Sequence, residues 1–260
     1  MRTMKKLYHA EAGHGMPLVL IHGFPLDHTL WHHQLGGLRD VARVIAPDLR
    51  GFGKSPEARR AVTMEQHARD VAHLLDRLGL DRAVIGGLSM GGYVALAFAE
   101  LFPERLTGLI LCNTRAVADA DDAKKTRETV ARRALEEGMT ALAPILVQPL
   151  LSDQTRKAQP QLIKFMEAMI GRQDPAGVAA SSRGMAVRPD RMGLLHRIKV
   201  PALVVTGNGD RLMAPAESEA MAARLPNAKL VVIPGVGHLS CLEAPEAFNQ
   251  AARELLATVD

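Results

Sequence analysis

Two hydrophobic rhythms alternate along the chain. Short, largely apolar runs stand at 17–21, 42–46, 82–86, 106–112, 201–206 and 229–233, each closed by Gly, Pro, His, Asn or Asp. Apolar runs of this length without alternation read as strands, those at 17–21, 42–46 and 82–86 as buried ones. A seventh, weaker candidate spans 6–11. Between them the period lengthens. Ala68, Val71, Ala72, Leu75 and Leu78 recur at helical spacing, after Thr63 and Gln66 at capping-box spacing, and Gly79 ends the run. Helices are also predicted over 27–38, from 93 to about 102, after Pro215, and over 245–256. Strands alternating with helices imply an α/β protein with a mostly parallel sheet covered on both faces.

Between 115 and 196 the rhythm changes. No apolar strand run occurs there, and the pattern predicts helices over 120–137, 139–151 with a break at Pro144, 161–170 and 174–183. The expected organisation is a core built from 1–114 and 197–260, interrupted by an all-helical insertion at 115–196. Repeats and low-complexity tracts are lacking.

Composition narrows the setting. The 260 residues are 47% hydrophobic and 23% charged, enough to bury a sizeable core. Net charge is +4, and 115–195 carries 13 Arg and Lys against 10 Asp and Glu. No basic run or stripe with interleaved aromatics suggests nucleic acid. The longest apolar stretch, 141–151, holds two prolines and is too short for a bilayer. Residues 1–10 lack the apolar centre of a signal peptide. Two cysteines make no disulfide framework, and Cys112, inside a strand run, reads as a small buried hydrophobe. A reduced cytoplasmic protein, without a membrane partner, is the expectation.

The candidate chemistry centres on Gly87-Leu88-Ser89-Met90-Gly91. This G-x-S-x-G lies between a predicted strand and a predicted helix, the context of a nucleophile elbow. Two residues without Cβ let strand and helix close around the turn. The turn would expose Ser89 at the sheet's carboxyl edge, where the helix N-terminus aims its N–H groups. Gly23, Asn113 and Asp210 also follow strand ends and should share that rim. A serine hydroxyl needs a base at neutral pH. Among ten histidines, His238 follows the last strand in a glycine-rich loop. Asp210, in the loop after the preceding strand, is the candidate carboxylate to fix its tautomer. The N–H groups of Met90 and Phe24 are candidate oxyanion donors, with Pro25 holding Phe24 extended. Asp48 and Arg50 read as structural in a glycine-rich turn. His28, His32 and His33 have helical spacing, but no Cys or carboxylate completes a ligand set, so no metal or cofactor is expected. His67 and His73 are predicted on a helix surface.

Four segments together resemble the α/β-hydrolase superfamily, over nearly the whole chain. His22-Gly23-Phe24-Pro25 resembles its oxyanion loop, and 48–55 its D-x-R-G-x-G-x-S turn. Residues 87–92 match its elbow, and Gly237-His238 with Glu243-Ala244-Pro245-Glu246 its histidine loop and following helix. The resemblance implies the α/β-hydrolase fold, a triad of Ser89, Asp210 and His238 in that chain order, and a helical lid inserted after the sixth strand, where 115–196 stands. Small lidded esterases, enol-lactonases and cofactor-free perhydrolases are the most similar members. Several of these place a pocket aromatic where Trp31 falls, and Leu146 lies among lid residues able to line an apolar pocket. Members that use an aspartate nucleophile are excluded by Ser89. Others carry the acid after the sixth strand, where this chain has Asn113. The implied activity is hydrolysis of carboxylic esters with small-to-medium acyl chains through an acyl-enzyme. The alternatives are an enol-lactonase, whose anionic substrate would need Arg115 or Arg188, a perhydrolase, and a scaffold that binds without turnover. A small-molecule ester or lactone is the expected partner.

Overall fold

The computed structural model describes residues 6–259. Seven strands form one sheet: β1 (His9–Ala12), β2 (Pro17–Ile21), β3 (Arg43–Pro47), β4 (Ala83–Leu88), β5 (Leu106–Cys112), β6 (Ala202–Gly207) and β7 (Ala228–Ile233), in the order β1-β3-β2-β4-β5-β6-β7. Only β1 runs antiparallel, against β3; every other neighbouring pair is parallel. The central strands β4, β5 and β6 are buried at every residue, which is why they read as unbroken apolar runs. The candidate at 6–11 becomes the edge strand β1.

Right-handed crossovers fix the faces. The step from β2 to β3 goes one way along the sheet and carries α1 (His32–Gly37). The steps from β3 to β4 and from β4 to β5 go the other way, carrying α2 (Met64–Arg77) and α3 (Met90–Leu101) on the opposite face, where they pack on each other. The helix predicted over 27–38 is two pieces, a 3-10 turn at His28–Trp31 and then α1, because Asp27 caps the turn by accepting Thr29 N at 3.0 Å.

The interrupting segment follows β5, the fifth strand along this chain. It contains α4 (Asp121–Glu137), α5 (Met139–Leu146), α6 (Asp153–Ala158), α7 (Pro160–Gly171) and α8 (Pro175–Ala186). The break expected at Pro144 falls later: α5 runs through Pro144, and the chain tightens at Val147 into a 3-10 turn, Gln148–Leu150. The short helix α6 has no apolar period to announce it. Met139, Met166, Met169 and Ile170 are buried and continuous with the sheet's core. The segment seats on the core through α8. A Cβ on Gly177 would collide with Gly51 O, and one on Gly184 with Val62 O, so both close approaches require glycine.

This seating overturns one expectation. His67, predicted on a helix surface, is fully buried because α8 covers the outer side of α2, and its Nε2 lies 3.2 Å from Ser181 Oγ. Burial, with His22 and Arg50 nearby, pushes its pKa down to about 3. After β6, the chain continues through α9 (Pro215–Ala222), β7, the one-turn α10 (Ser240–Glu243) and α11 (Pro245–Leu256), which packs against α1.

Candidate active site

The elbow is built by sterics. Ser89 joins β4 to α3 with φ 55° and ψ −113°, a left-handed conformation unfavourable for a residue with a Cβ. Surrounding contacts hold it there. Ser89 N donates to Cys112 O at 2.9 Å, and Thr114 Oγ1 donates to Ser89 O at 2.7 Å. The glycines are required by contact: a Cβ on Gly87 would run into the backbone of Gly91, and one on Gly91 into Ile21 O. The serine is therefore held at the carboxyl end of the central strands.

Asp210 and His238 arrive from the next two loops of the same rim. His238 Nδ1 lies 2.8 Å from Asp210 Oδ2, and both side chains are almost completely buried. Asp210 has four donors among the described residues. Its Oδ1 accepts from the amides of Leu212 (2.9 Å) and Met213 (3.0 Å), and its Oδ2 from His238 and from Asn113 Nδ2 (2.9 Å). Burial opposes its charge, yet His238, Asn113 and the Met213 amide together hold its pKa below the usual carboxylate value. An ionised carboxylate accepts only, so Nδ1 carries the proton and Nε2 of a neutral imidazole is left with a lone pair.

Ser89 and His238 line one cavity of about 380 Å³. The Ser89 hydroxyl has no hydrogen-bond partner among the described residues. It turns about a single bond, and catalytic contacts commonly tighten when substrate arrives. Phe24 and Pro25 lie on the same cavity, joined by a cis peptide bond. Among the described residues, neither Phe24 N nor Met90 N donates a hydrogen bond, so two backbone donors beside the elbow are uncommitted. The loop that carries Phe24 is braced by the buried His22, whose Nδ1 reaches Gly23 O at 2.8 Å while Nε2 accepts from Leu49 N at 3.0 Å.

The remaining wall comes largely from the helical segment. Leu146 lines it, together with Leu150 and Met185. Trp31 does not. The 3-10 turn directs it into the core, fully buried, with its ring 5.8 Å from that of Phe248 on α11. Phe24 is the cavity's aromatic residue.

The cations divide differently from expectation. Arg188 is buried in an ion pair with Asp119 (2.7 Å), donates to Val117 O, and lies 4.0 Å over the Tyr93 ring. Arg115 reaches the cavity, but its guanidinium is engaged by Met213 Sδ, Leu212 O and Glu217. Arg127, on α4, lines the cavity, and among the described residues only its Nε is committed, to Asp119 at 3.0 Å. Asp119 thus faces two arginines, leaving a local excess of positive charge. Sequence reasoning overlooked Arg127 and the contact from Asn113 to the carboxylate. The helical spacing of Ala123, Arg127 and Val130 was the available signal for the first.

Ligand atoms of Asp27, His28 and Asp48 come within 4.8 Å of one another. Protein donors already occupy them. Asp48 accepts from His28 Nδ1 and Lys54 N, each at 2.8 Å, while Asp27 accepts from Arg172, Thr29 and Gln173. The cluster is a hydrogen-bonded junction between loops.

A mostly parallel sheet, a strained serine between strand and helix, and a buried acid–histidine pair on the same rim define an α/β hydrolase. Residues 18–251 match the alpha/beta hydrolase family, and the chain belongs to it. It is similar to a thermophilic esterase of Thermogutta terrifontis, solved with malate bound (46% identity, TM-score 0.95, covering 97% of this chain and 93% of that one). It is also similar to the enol-lactonase of Burkholderia xenovorans LB400 (28% identity, TM-score 0.90, 98% of each chain). Its similarity to 3-oxoadipate enol-lactonase 2 of Acinetobacter baylyi is 28% identity over 231 residues, 88% of this chain and 84% of that protein. No helix among the described residues is long and apolar enough to cross a membrane.

Proposed function

We propose that the protein is a serine hydrolase that cleaves carboxylic esters of small-to-medium acyl chain through an acyl-enzyme. The observation that carries this reading is the buried contact between His238 Nδ1 and Asp210 Oδ2, with the imidazole on the same cavity as Ser89. His238 Nε2 takes the Ser89 proton as Oγ attacks the ester carbonyl. The amides of Phe24 and Met90 receive the charge on the tetrahedral oxygen. Each such donor is typically worth about 10²–10³ in kcat. His238 then passes the proton to the leaving alcohol, and water repeats the sequence to release the acid. Asp210 stays ionised and stabilises the imidazolium. The residues at 115–196 act as a lid whose inner wall, with Leu146, selects the acyl chain. The similar esterase of 46% identity supports ester over other acyl substrates.

A second reading is favoured by Arg127: a substrate, ester or lactone, that itself bears a carboxylate. The excess positive charge around Asp119 would be offset by such a group. The two similar enol-lactonases are in keeping with it. Peroxide in place of water would give a perhydrolase side activity on the same residues.

Labelling by a fluorophosphonate and turnover of p-nitrophenyl esters test the central claim. Wild-type protein is expected to label at position 89, and Ser89→Ala to lose turnover by several orders of magnitude. A loss of tenfold or less would remove the mechanism. An unlabelled but folded wild type would favour a binding scaffold.

A further inference from the structure

We infer that Glu243 is the positioning residue that sets His238, and that through it the stretch 150–152 of the helical segment forms part of the base's support. The inference rests on the serine-hydrolase reading above. Glu243 ends α10, one turn after His238, and is buried. Its carboxylate folds back over the histidine loop. Oε1 accepts from Gly237 N (3.0 Å) and Leu239 N (3.1 Å). Oε2 accepts from Gly237 N (3.0 Å) and from Ser152 N (3.0 Å), across 91 residues. His238 N donates to Leu150 O at 3.1 Å. The amide of the histidine and those of both its chain neighbours are thus fixed, and two of the anchoring groups belong to the interrupting segment.

The chemistry of Glu243 fits this task and little else. No Lys, Arg or His pairs with it among the described residues. A buried carboxylate without a cation is costly unless amides solvate it. Among the described residues its donors are three backbone N–H groups, and they converge on its two oxygens. A carboxylate offers acceptors only, whereas a glutamine would turn an N–H toward an N–H on one side. Gly237 belongs to the same arrangement, since a Cβ there would run into Ser152 N and stand 3.0 Å from Glu243 Oε1. Among the described residues, the imidazole itself is anchored only through Asp210. Its height over Ser89 is therefore decided by the loop backbone that Glu243 holds. Misplacement of a catalytic group by about 1 Å costs as much as 10²-fold.

The sharing of Glu243 couples base and cavity. Leu150, whose carbonyl holds His238 N, also lines the cavity. If that wall lifts, Glu243 loses the Ser152 donor and His238 loses the Leu150 acceptor. The base is in register only while the wall is docked.

The test uses full-length wild type, Glu243→Gln and Glu243→Asp, each corrected for the fraction that reacts with a fluorophosphonate. Kinetics on a p-nitrophenyl ester are followed from pH 5 to 9. Glu243→Gln is expected to lower kcat by about 10- to 100-fold with KM changed less than about threefold. The acid limb of its kcat/KM profile should move to lower pH by about half a unit, because a loosened Asp210 contact stabilises the imidazolium less. Glu243→Asp, which keeps two acceptor oxygens, should recover part of both effects. A kcat within twofold of wild type overturns the proposal. So does a lower kcat with an unmoved acid limb, or loss of the fold in both variants, since these outcomes assign Glu243 a structural role alone. A wild type that does not label overturns the serine mechanism instead, which separates the two failures.

Discussion

Asn113 Nδ2 stands 2.9 Å from Asp210 Oδ2, the oxygen that His238 Nδ1 reaches at 2.8 Å. Asn113 also donates to Gly237 O at 3.1 Å and accepts from Ser240 Oγ at 2.6 Å. One amide side chain therefore links the ends of three loops. It sits at φ 46°, a conformation that Asn tolerates better than most residues.

Asn113→Asp keeps the shape and the backbone tolerance but replaces a donor with a like charge beside Asp210. One of the two carboxyls should then titrate well above the normal range. The expected result is a loss of at least about tenfold in kcat/KM at pH 7, measured on a p-nitrophenyl ester with folding followed by circular dichroism. Wild-type kinetics in this variant would show that the Asn113 contact does not tune the acid.

Arg127→Ala should discriminate substrates. Asp119 keeps its 2.7 Å pair with Arg188, so the fold is little affected. For an ester bearing a distal carboxylate, KM is expected to rise about tenfold, the cost of one charge-assisted contact of roughly 1.5 kcal/mol. A neutral ester of equal length should change less than about threefold. Equal effects on both would end the anionic-substrate reading.

His67 should limit stability in acid. The unfolded chain takes up a proton there near pH 6.5, whereas the folded chain resists until about pH 3. The unfolded state binds more protons across that window, so stability falls as pH drops below 6.5. At pH 4.5 the loss attributable to this one group is about 2–3 kcal/mol. Replacing it by glutamine should narrow the gap between Tm values at pH 7.5 and pH 4.5. An unchanged gap would assign acid sensitivity to other groups.

Gly177→Ala inserts a methyl where α8 meets Gly51 O. Overpacking of this kind costs about 1–3 kcal/mol. The expected Tm loss should be accompanied by faster proteolysis within 115–196, while the sheet core is cut later. Uniform cleavage would mean that the contact does not seat the segment.

The central strands were legible because each is a buried apolar run, and the elbow because Gly87 answers a contact with the nearby backbone of Gly91. Asp210 and His238 could be read from their places after β6 and β7. What escaped was whatever depends on how the helical segment docks. The period of α2 places His67 outward, and only α8 turns that outside into an interior. Trp31 has the composition of a pocket residue, but the 3-10 turn capped by Asp27 aims it at Phe248. Arg115 and Arg188 look as available as Arg127 until their partners are known. Periodicity records which face is apolar, and it carries nothing about which distant charge will sit opposite.

The helical segment is fastened to the core around α8 and, through Leu150 O and Ser152 N, to the histidine loop. Gly177 and Gly184 seat α8 on the core, Val62 N donates to Ala180 O at 3.1 Å, and Arg172 and Gln173 grip Asp27. The cavity wall lies largely elsewhere, on α4 and α5, at Thr126, Arg127, Val130 and Leu146. Most docking contacts and most of the cavity lining thus occupy different stretches of sequence, and the two meet at Leu150 and Met185. A substitution on α4 can therefore reshape the cavity wall while the Gly177 and Gly184 contacts of α8 stay intact.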